Sequence, residues 1–169
     1  MRQMLPMLAA VLVLACSPGS QAGAAPAAAD QQEAQVAPSP PARHPVSGLE
    51  VIDLSVITGE TRRAFRVELA ATQPDQARGL MFRTELGADE GMLFPSREPM
   101  VRSFWMKDTP LSLDIIFIGA DGRIINIAAN TTPYSLDSVM SDGPALAVLE
   151  LRGGRAAELG IGPGDKVDW

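Results

Sequence analysis

The sequence predicts a mainly β fold, with α+β character only at its margins: a single β-sandwich or flattened barrel of about seven or eight short strands with two short helices. Three observations indicate this fold class. Apolar and polar residues alternate over many short segments, which is the period of half-buried strands. Turn sequences rich in Gly, Asp and Pro separate those segments. The two helical signals are each only one or two turns long.

The N-terminus has the features of an export signal. Arg2 supplies a positive charge, and residues 4–15 form an apolar run that is too short to span a bilayer as a permanent helix. Residues 13–16 read Val-Leu-Ala-Cys and resemble the lipobox of bacterial lipoproteins. This resemblance implies cleavage before Cys16, a lipid on its sulfur and therefore a membrane anchor. A plain secretory signal, cleaved after residues 22–25, is the alternative.

The rest of the chain divides into a tether and a domain. The tether is rich in Ala, Pro, Gln and Ser and lacks apolar periodicity, so it cannot bury enough apolar surface to offset the entropy lost on ordering. We therefore predict a signal peptide over residues 1–16, a disordered tether over residues 17–48 and a single domain over residues 49–169. Export is expected to place the domain in the periplasm or on the outer membrane.

Composition argues against several classes of function. The net charge is −6 and no stretch is rich in Lys or Arg, which is not the pattern of a protein that binds nucleic acid. The one Cys is Cys16 and the one His is His44, and both precede the predicted domain. We therefore expect no disulfide, thiol nucleophile, His-ligated metal or Ser-His-Asp triad within the domain, and no cofactor.

The first elements of the predicted domain are a hairpin and a helix. Residues 52–56 and 65–69 alternate apolar with polar side chains, and residues 58–60 form the turn between them. A short helix follows, which Thr72 can cap and Gly79 can end.

The remainder of the domain is a series of short strands with one long loop and one helical turn. Residues 115–118 are apolar at every position, so their strand is expected to be covered on both faces. Residues 130–143 are expected to form a loop, and residues 156–159 a helical turn between glycines. The predicted strands are residues 91–94, 101–107, 113–118, 123–129, 145–151 and 166–169.

A set of ordered motifs carries a family resemblance. The motifs are Gly79-Leu80-Met81 with Arg83, Gly91-Met92-Leu93-Phe94, Phe104-Trp105-Met106-Lys107-Asp108-Thr109, Leu113-Asp114-Ile115 and Val148-Leu149-Glu150-Leu151. In this order and spacing they resemble domain of unknown function 192 (DUF192), an uncharacterised family of secreted or membrane-tethered bacterial proteins. The resemblance covers residues 66–169 and implies a β-sandwich with short helices, but no activity. The family usually has Asn where this chain has Asp108.

Polar residues within these motifs are the candidates for a ligand site. Alternation along a strand would place Trp105 and Lys107 on one face and Asp108 on the other. A buried charge without a partner costs several kcal/mol, and Asp114 and Glu150 interrupt apolar strands. We predict a shallow polar cleft that binds a small ligand, such as a sugar or peptidoglycan fragment, because an aromatic ring beside charges can hold a polar ring. The candidate ligand-binding residues are Arg83, Trp105, Lys107, Asp108, Asp114 and Glu150.

Three other interpretations remain open. The same charged residues could form structural ion pairs that fix loops to the sheet, and the domain would then support an envelope assembly or bind an envelope protein. Asp108, Asp114 and Glu150 could instead supply an acid–base pair for glycoside hydrolysis, although the sequence shows no recognisable catalytic constellation. Methionine thioethers could bind copper(I), although methionine more often fills a core. The methionines concerned are Met81, Met92 and Met106, with Met100 or Met140.

Overall fold

The computed structural model describes residues 42–169, so the predicted signal peptide, the lipidation at Cys16 and most of the tether lie outside the described residues. The elements are β1 (Val51–Thr58), β2 (Thr61–Leu69), α1 (Gln73–Arg78), β3 (Glu90–Met100), β4 (Ser103–Phe104), β5 (Leu113–Gly119), β6 (Ile124–Ala128), β7 (Val139–Met140), β8 (Ala145–Arg152), α2 (Arg155–Leu159) and β9 (Lys166–Asp168). The mainly β fold class with two short helices is confirmed. Within the described range, no helix combines the length and apolar character needed to cross a bilayer.

Seven strands form one mixed sheet in the order β6-β5-β8-β3-β2-β1-β9, and β4 pairs with β7 in a separate two-stranded sheet. Strands β2 and β3 are parallel, and the other neighbours in the large sheet are antiparallel. The sheet curls until its two edges touch: Arg123 before β6 makes an isolated bridge to Lys166 of β9, and the N–H of Ile124 donates to the carbonyl of Asp165 at 2.9 Å. This short contact does not pair β6 with β9 as strands, so the sheet is not a closed barrel.

Each face of the curled sheet carries its own hydrophobic core. The inner core contains buried side chains from all seven strands of the large sheet, together with Ala156 of α2 and Ile161. The outer core is smaller and is built mainly on β3, β5 and β8, with Leu80 and Met106 covering it from the loops. Every residue of β5 is buried because its side chains alternate between these two cores. The predicted burial of this strand on both faces is confirmed.

The capping residues predicted from the sequence lie at the two ends of α1. The Thr72 hydroxyl accepts a hydrogen bond from the backbone N–H of Asp75 at 3.3 Å, which satisfies one of the free donors at the helix start. Gly79 has φ of +48° and donates its N–H to the Asp75 carbonyl at 2.8 Å, which ends the helix. Both caps agree with the sequence prediction.

The structure departs from the prediction in two loops. Residues 101–107 were expected to form a strand, but only Ser103 and Phe104 do so, because their partner β7 is itself only two residues long. The chain then turns at Lys107 and Asp108, so the expected strand alternation does not extend over Trp105 to Thr109. Strand β7 lies within residues 130–143, which were expected to be loop throughout.

Residues 42–48, assigned by sequence to the tether, form a turn that is hydrogen-bonded to the domain. Arg43 makes an isolated bridge to Glu50, and the N–H of Val51 donates to the carbonyl of Ala42 at 2.7 Å. Gly48 closes the turn by donating its N–H to the carbonyl of His44 at 2.8 Å. This turn brings His44 against the domain.

Candidate functional site

Three carboxylate residues of the large sheet are buried: Glu68, Asp114 and Glu150, whose exposed fractions are 3%, 0% and 5%. The register of the sheet places them on different faces. Asp114 lies opposite Leu151, an inner-core residue, whereas Glu150 lies opposite Ile115, an outer-core residue. The side chains of Asp114 and Glu150 therefore point to opposite faces and cannot share one cleft.

Asp114 is a structural acceptor. Its Oδ1 accepts hydrogen bonds from the backbone N–H groups of Asn130 and Gly154, each at 2.9 Å, and its Oδ2 accepts one from Ala156 at 2.8 Å. Three N–H donors satisfy a buried carboxylate well. Asp114 thereby fixes the start of α2 and the loop after β6 to the sheet, and it has no part in the predicted cleft.

Arg83 also lies away from the predicted cleft. Its Nη2 donates to Oε1 of Glu68, and the hydroxyl of Ser47 donates to Oε2 of the same carboxylate. The His44 Nδ1 atom lies 3.4 Å from Arg83 Nη2 and 3.7 Å from Glu68 Oε2. This cluster, built around the buried Glu68, fastens the turn of residues 42–48 and the loop after α1 to β2. Sequence reasoning missed it because His44 had been assigned to the tether.

A polar cleft lies on the outer face of the sheet beside α1 and encloses about 360 Å³. Helix α1, the loop that follows it and residues 102–109 form its walls. We call it the outer cleft. Of the six candidate residues, it contains Trp105, Lys107 and Glu150, whereas Arg83, Asp108 and Asp114 do not line it. Its polar and aromatic lining includes Gln76, Arg78, Phe94, Arg102, Phe104, Trp105, Lys107, Thr109 and Glu150.

Glu150 lies on a central strand of the sheet and contributes its side chain to the outer cleft. Its neighbours in register are Met92 on β3 and Ile115 on β5, both apolar and buried. Among residues 42–169, no side chain or backbone N–H donates a hydrogen bond to its carboxyl group, and no cation pairs with it. Burial raises the pKa of Glu150 to about 8. The group is therefore mostly protonated at neutral pH and can donate a hydrogen bond.

Aromatic rings and cations are paired on the walls of the cleft. The Lys107 Nζ atom lies 5.4 Å from the ring centroid of Trp105, which is half exposed, and the Arg102 Cζ atom lies 5.5 Å from that of Phe104. Both distances are typical of cation–π contacts. Phe104 is held edge-on to Phe94, with ring centroids 5.1 Å apart. Sequence analysis did not select Arg78, which ends a short helix, or Arg102, which lies in the strand predicted over residues 101–107, because nothing in either local pattern indicates a ligand.

Asp108 has a backbone role. Its φ is +53°, a left-handed conformation that Asn and Asp tolerate better than most other residues. Its carbonyl accepts a hydrogen bond from the N–H of Phe82 at 2.7 Å, which joins the two loops beside the cleft. Asp108 is therefore suited to this turn by its backbone conformation.

The structure also bears on the glycoside-hydrolysis and copper(I) interpretations. Glu150 is the one acid that lines the outer cleft within residues 42–169, so Asp108 and Asp114 do not form an acid–base pair with it there. Of the methionines considered for copper(I), Met92 and Met106 are buried in the outer core, Met100 and Met140 are exposed, and Met81 lines the outer cleft. Within residues 42–169, no three His, Cys, Asp or Glu side chains are placed to hold a metal ion; thioether ligands are a separate case.

The fold and the cleft define a single β domain built on a curled mixed sheet, with a polar site on its outer face. The chain belongs to the family described as Uncharacterized ACR, COG1430 (DUF192), whose model matches residues 55–169. The family resemblance seen in the motifs is thus confirmed. A search of curated proteins found no match.

Two solved structures share the fold. A protein of unknown function from Novosphingobium aromaticivorans DSM 12444 is 54% identical, with a TM-score of 0.75 over 78% of this chain and 94% of that chain. A candidate transcription regulator from Sinorhizobium meliloti 1021 is 36% identical, with a TM-score of 0.69 over 71% of this chain and 94% of that chain.

Proposed function

We propose that this domain binds a small molecule with a polar ring in the outer cleft, without catalysing a reaction on it. The observation that carries the proposal is the carboxyl group of Glu150, which lies on a buried strand position, is accessible from the cleft and has no hydrogen-bond partner within residues 42–169. A ligand in the cleft can therefore reach this carboxyl and form a hydrogen bond that the domain does not supply, which contributes about 0.5–1.5 kcal/mol. The structural carboxylates Glu68 and Asp114 leave no such opening, because each is satisfied within the domain.

The walls of the cleft suit a ring-shaped polar ligand. Half of the Trp105 surface is exposed, and an exposed indole can stack on the apolar face of a sugar. Lys107 and Arg102 provide donors near the two aromatic rings. The protonated carboxyl of Glu150 provides a donor within the buried part of the cleft. This combination of an aromatic platform with a few convergent polar groups is typical of small-molecule sites.

We further propose that the protein is exported and works in the bacterial envelope, where sugars and peptidoglycan fragments are available ligands. The support is the N-terminal charge and apolar run, and the lipobox-like residues 13–16, which would anchor the protein through Cys16. The relative described as a candidate transcription regulator raises the question of DNA binding. The net charge of −6 argues against it for this chain, because binding along the phosphate backbone of DNA requires an extended basic surface.

Tryptophan fluorescence can test the binding directly. The chain has two tryptophans, Trp105 in the cleft wall and Trp169 at the C-terminus, with exposed fractions of 50% and 45%. The Trp169→Phe variant therefore leaves Trp105 as the single reporter. We expect soluble peptidoglycan fragments or N-acetylglucosamine oligomers to change its emission with a saturable dose dependence. Trp105→Phe should lose the signal, while Glu150→Ala in the Trp169→Phe background should weaken binding.

The same experiment separates the ligand site from the structural alternative. If none of these ligands changes the emission of the Trp169→Phe variant, and calorimetry of the unmodified protein shows no heat of binding, the proposed function is wrong. The domain would then be a packed support module whose cleft has no ligand of this class.

A further inference from the structure

The cations around the outer cleft have no counter-ions. Arg78, Arg102 and Lys107 all line it, and none of them lies within 4.0 Å of a carboxylate oxygen in residues 42–169. Cations elsewhere in residues 42–169 are of both kinds: Arg155 lies 2.6 Å from Asp89, whereas Arg63 on β2 has no carboxylate within 4.0 Å. The feature of the outer cleft is that three cations without a carboxylate partner line the same concave surface.

Arg102 is the most informative of the three. It is partly buried, and within residues 42–169 its guanidinium donates to two partners, both neutral: the hydroxyl of Ser96 and the amide oxygen of Gln76 at 3.5 Å. Burial lowers the pKa of Arg102, since no neighbouring carboxylate compensates for the lost hydration. An anion bound in the cleft would supply that compensation.

The one acid of the cleft does not neutralise these cations. At neutral pH the Glu150 carboxyl is mostly protonated and therefore carries little negative charge. The lining thus has a net positive charge, although the whole chain has a net charge of −6. Such a local excess of positive charge favours anionic ligands over neutral ones.

We infer that the ligand of the outer cleft is an anionic sugar, whose carboxylate or phosphate group lies among Arg78, Arg102 and Lys107 while its ring packs against Trp105. The inference rests on the proposed function and names the chemical class of its ligand. The position of Lys107 supports it, because its ammonium group lies 5.4 Å from the Trp105 ring and can meet a charged substituent of a ring stacked there. An arginine can also hold a carboxylate or phosphate through two parallel N–H groups.

Two matched ligand pairs test the charge requirement by calorimetry on the unmodified chain. N-acetylmuramic acid is compared with its neutral methyl ester, and N-acetylglucosamine 6-phosphate with N-acetylglucosamine. A hydrogen bond to a charged group contributes about 1.5–3 kcal/mol, so we expect at least one anion to bind about tenfold or more tightly than its neutral partner. The pair with the larger ratio identifies the preferred anionic group.

Charge-removing variants locate the effect. Arg102→Gln and Lys107→Gln should each reduce the affinity for the preferred anion about tenfold and change the affinity for the neutral partner less than about twofold. Lys107 is exposed, so its variant is expected to fold even if Arg102→Gln does not. Arg63→Gln is the matched control: Arg63 is exposed on β2, does not line the cleft, and should leave both affinities unchanged.

Each outcome has a definite meaning. If both members of each pair bind with equal affinity, the ligand is not selected by charge, so the inference is wrong while the proposed function stands. If Arg63→Gln reduces anion affinity as much as the cleft variants do, general surface charge explains the preference, and the inference again fails. If none of the four sugars binds, the proposed function and the inference both fail.

Discussion

Asp114 on β5 and Glu150 on β8 are buried carboxyl groups on adjacent strands, only one residue apart in register, and they have opposite environments. Asp114 faces the inner core side and accepts three backbone hydrogen bonds. Glu150 faces the outer cleft and accepts none from residues 42–169. An acidic residue that interrupts an apolar strand can therefore hold neighbouring loops in place or be available to a ligand. The number of hydrogen-bond donors within the domain that reach its carboxyl group distinguishes the two cases.

Glu68 provides a third case, intermediate in kind. Glu68 on β2 and Glu150 on β8 lie on either side of Met92 on the intervening strand β3, and each is paired with it in register. All three side chains therefore lie on the outer face of the sheet. The partners of Glu68 are the Arg83 guanidinium and the Ser47 hydroxyl instead of backbone donors. Two of the three buried carboxylates thus hold loops in place, and one is left free to meet a ligand. This contrast leads to four predictions, of which the largest concerns Asp114.

Asp114→Ala should lower the free energy of unfolding by about 4–5 kcal/mol, because three N–H groups, one buried and two partly buried, lose their acceptor at once. Urea denaturation monitored by circular dichroism measures the loss. Asp114→Asn keeps one side-chain oxygen as an acceptor and should cost roughly half as much. A loss below about 1 kcal/mol for the alanine variant would show that Asp114 is not an anchor.

Arg83→Met should lower the free energy of unfolding by about 3–4 kcal/mol, because it leaves Glu68 buried without its cation. The double variant Arg83→Met, Glu68→Gln should regain most of the lost stability, since the unpaired charge is then gone. Denaturation of both single variants and the double variant gives the coupling between the two side chains. Additive effects would mean that the pair is not a unit.

Glu150→Gln should stabilise the domain at neutral and alkaline pH. The folded-state pKa of about 8 lies above the ordinary value of 4.5, so between these pH values the folded state holds more protons than the unfolded state. The contribution of Glu150 to stability is therefore present below about pH 4.5 and is lost progressively as the pH rises to about 8. The variant has no carboxyl group to ionise and so lacks this loss. Its free energy of unfolding should be higher than that of the unmodified protein by roughly 2–3 kcal/mol at pH 7.

Denaturation at a series of pH values checks this prediction. Near pH 4 the two proteins should have similar stability, and their difference should grow up to about pH 8 and then level off. Glu98→Gln, at an exposed acid of β3, is the control and should show no such growth. A difference between Glu150→Gln and the unmodified protein that does not vary with pH would mean that the carboxyl ionises normally.

Lys107→Ala should have the smallest effect on folding, about 0.5 kcal/mol, because an exposed cation–π contact contributes little. Its effect should be found in ligand affinity instead. Thermal melts and calorimetry with N-acetylmuramic acid on the same preparation separate the two quantities. If Lys107→Ala proves as destabilising as Asp114→Ala, then the division between anchoring charges and cleft charges is wrong.

Three of the six candidate residues chosen from the sequence line the outer cleft, and three do not. Trp105, Lys107 and Glu150 meet in the outer cleft, whereas Asp114 and Arg83 belong to structural clusters and Asp108 to a turn. Alternation along single strands could not reveal this, because the face of each side chain depends on pairing with strands distant in sequence. Arg78 and Arg102 were not candidates, since an arginine in a short helix or in a short predicted strand is most often simply solvated.

The sequence by itself determined what depends on near neighbours: the caps of α1 at Thr72 and Gly79, the burial of β5 on both faces, the mainly β class and the family. Only the tertiary structure decided that Asp114 and Glu150 face opposite ways and that His44 packs beside Arg83. The physical reason is the sequence separation of the residues that interact. A cap or a periodic pattern is fixed by residues a few positions apart, whereas the partners of a buried charge are brought to it by strand register and loop packing over the whole domain.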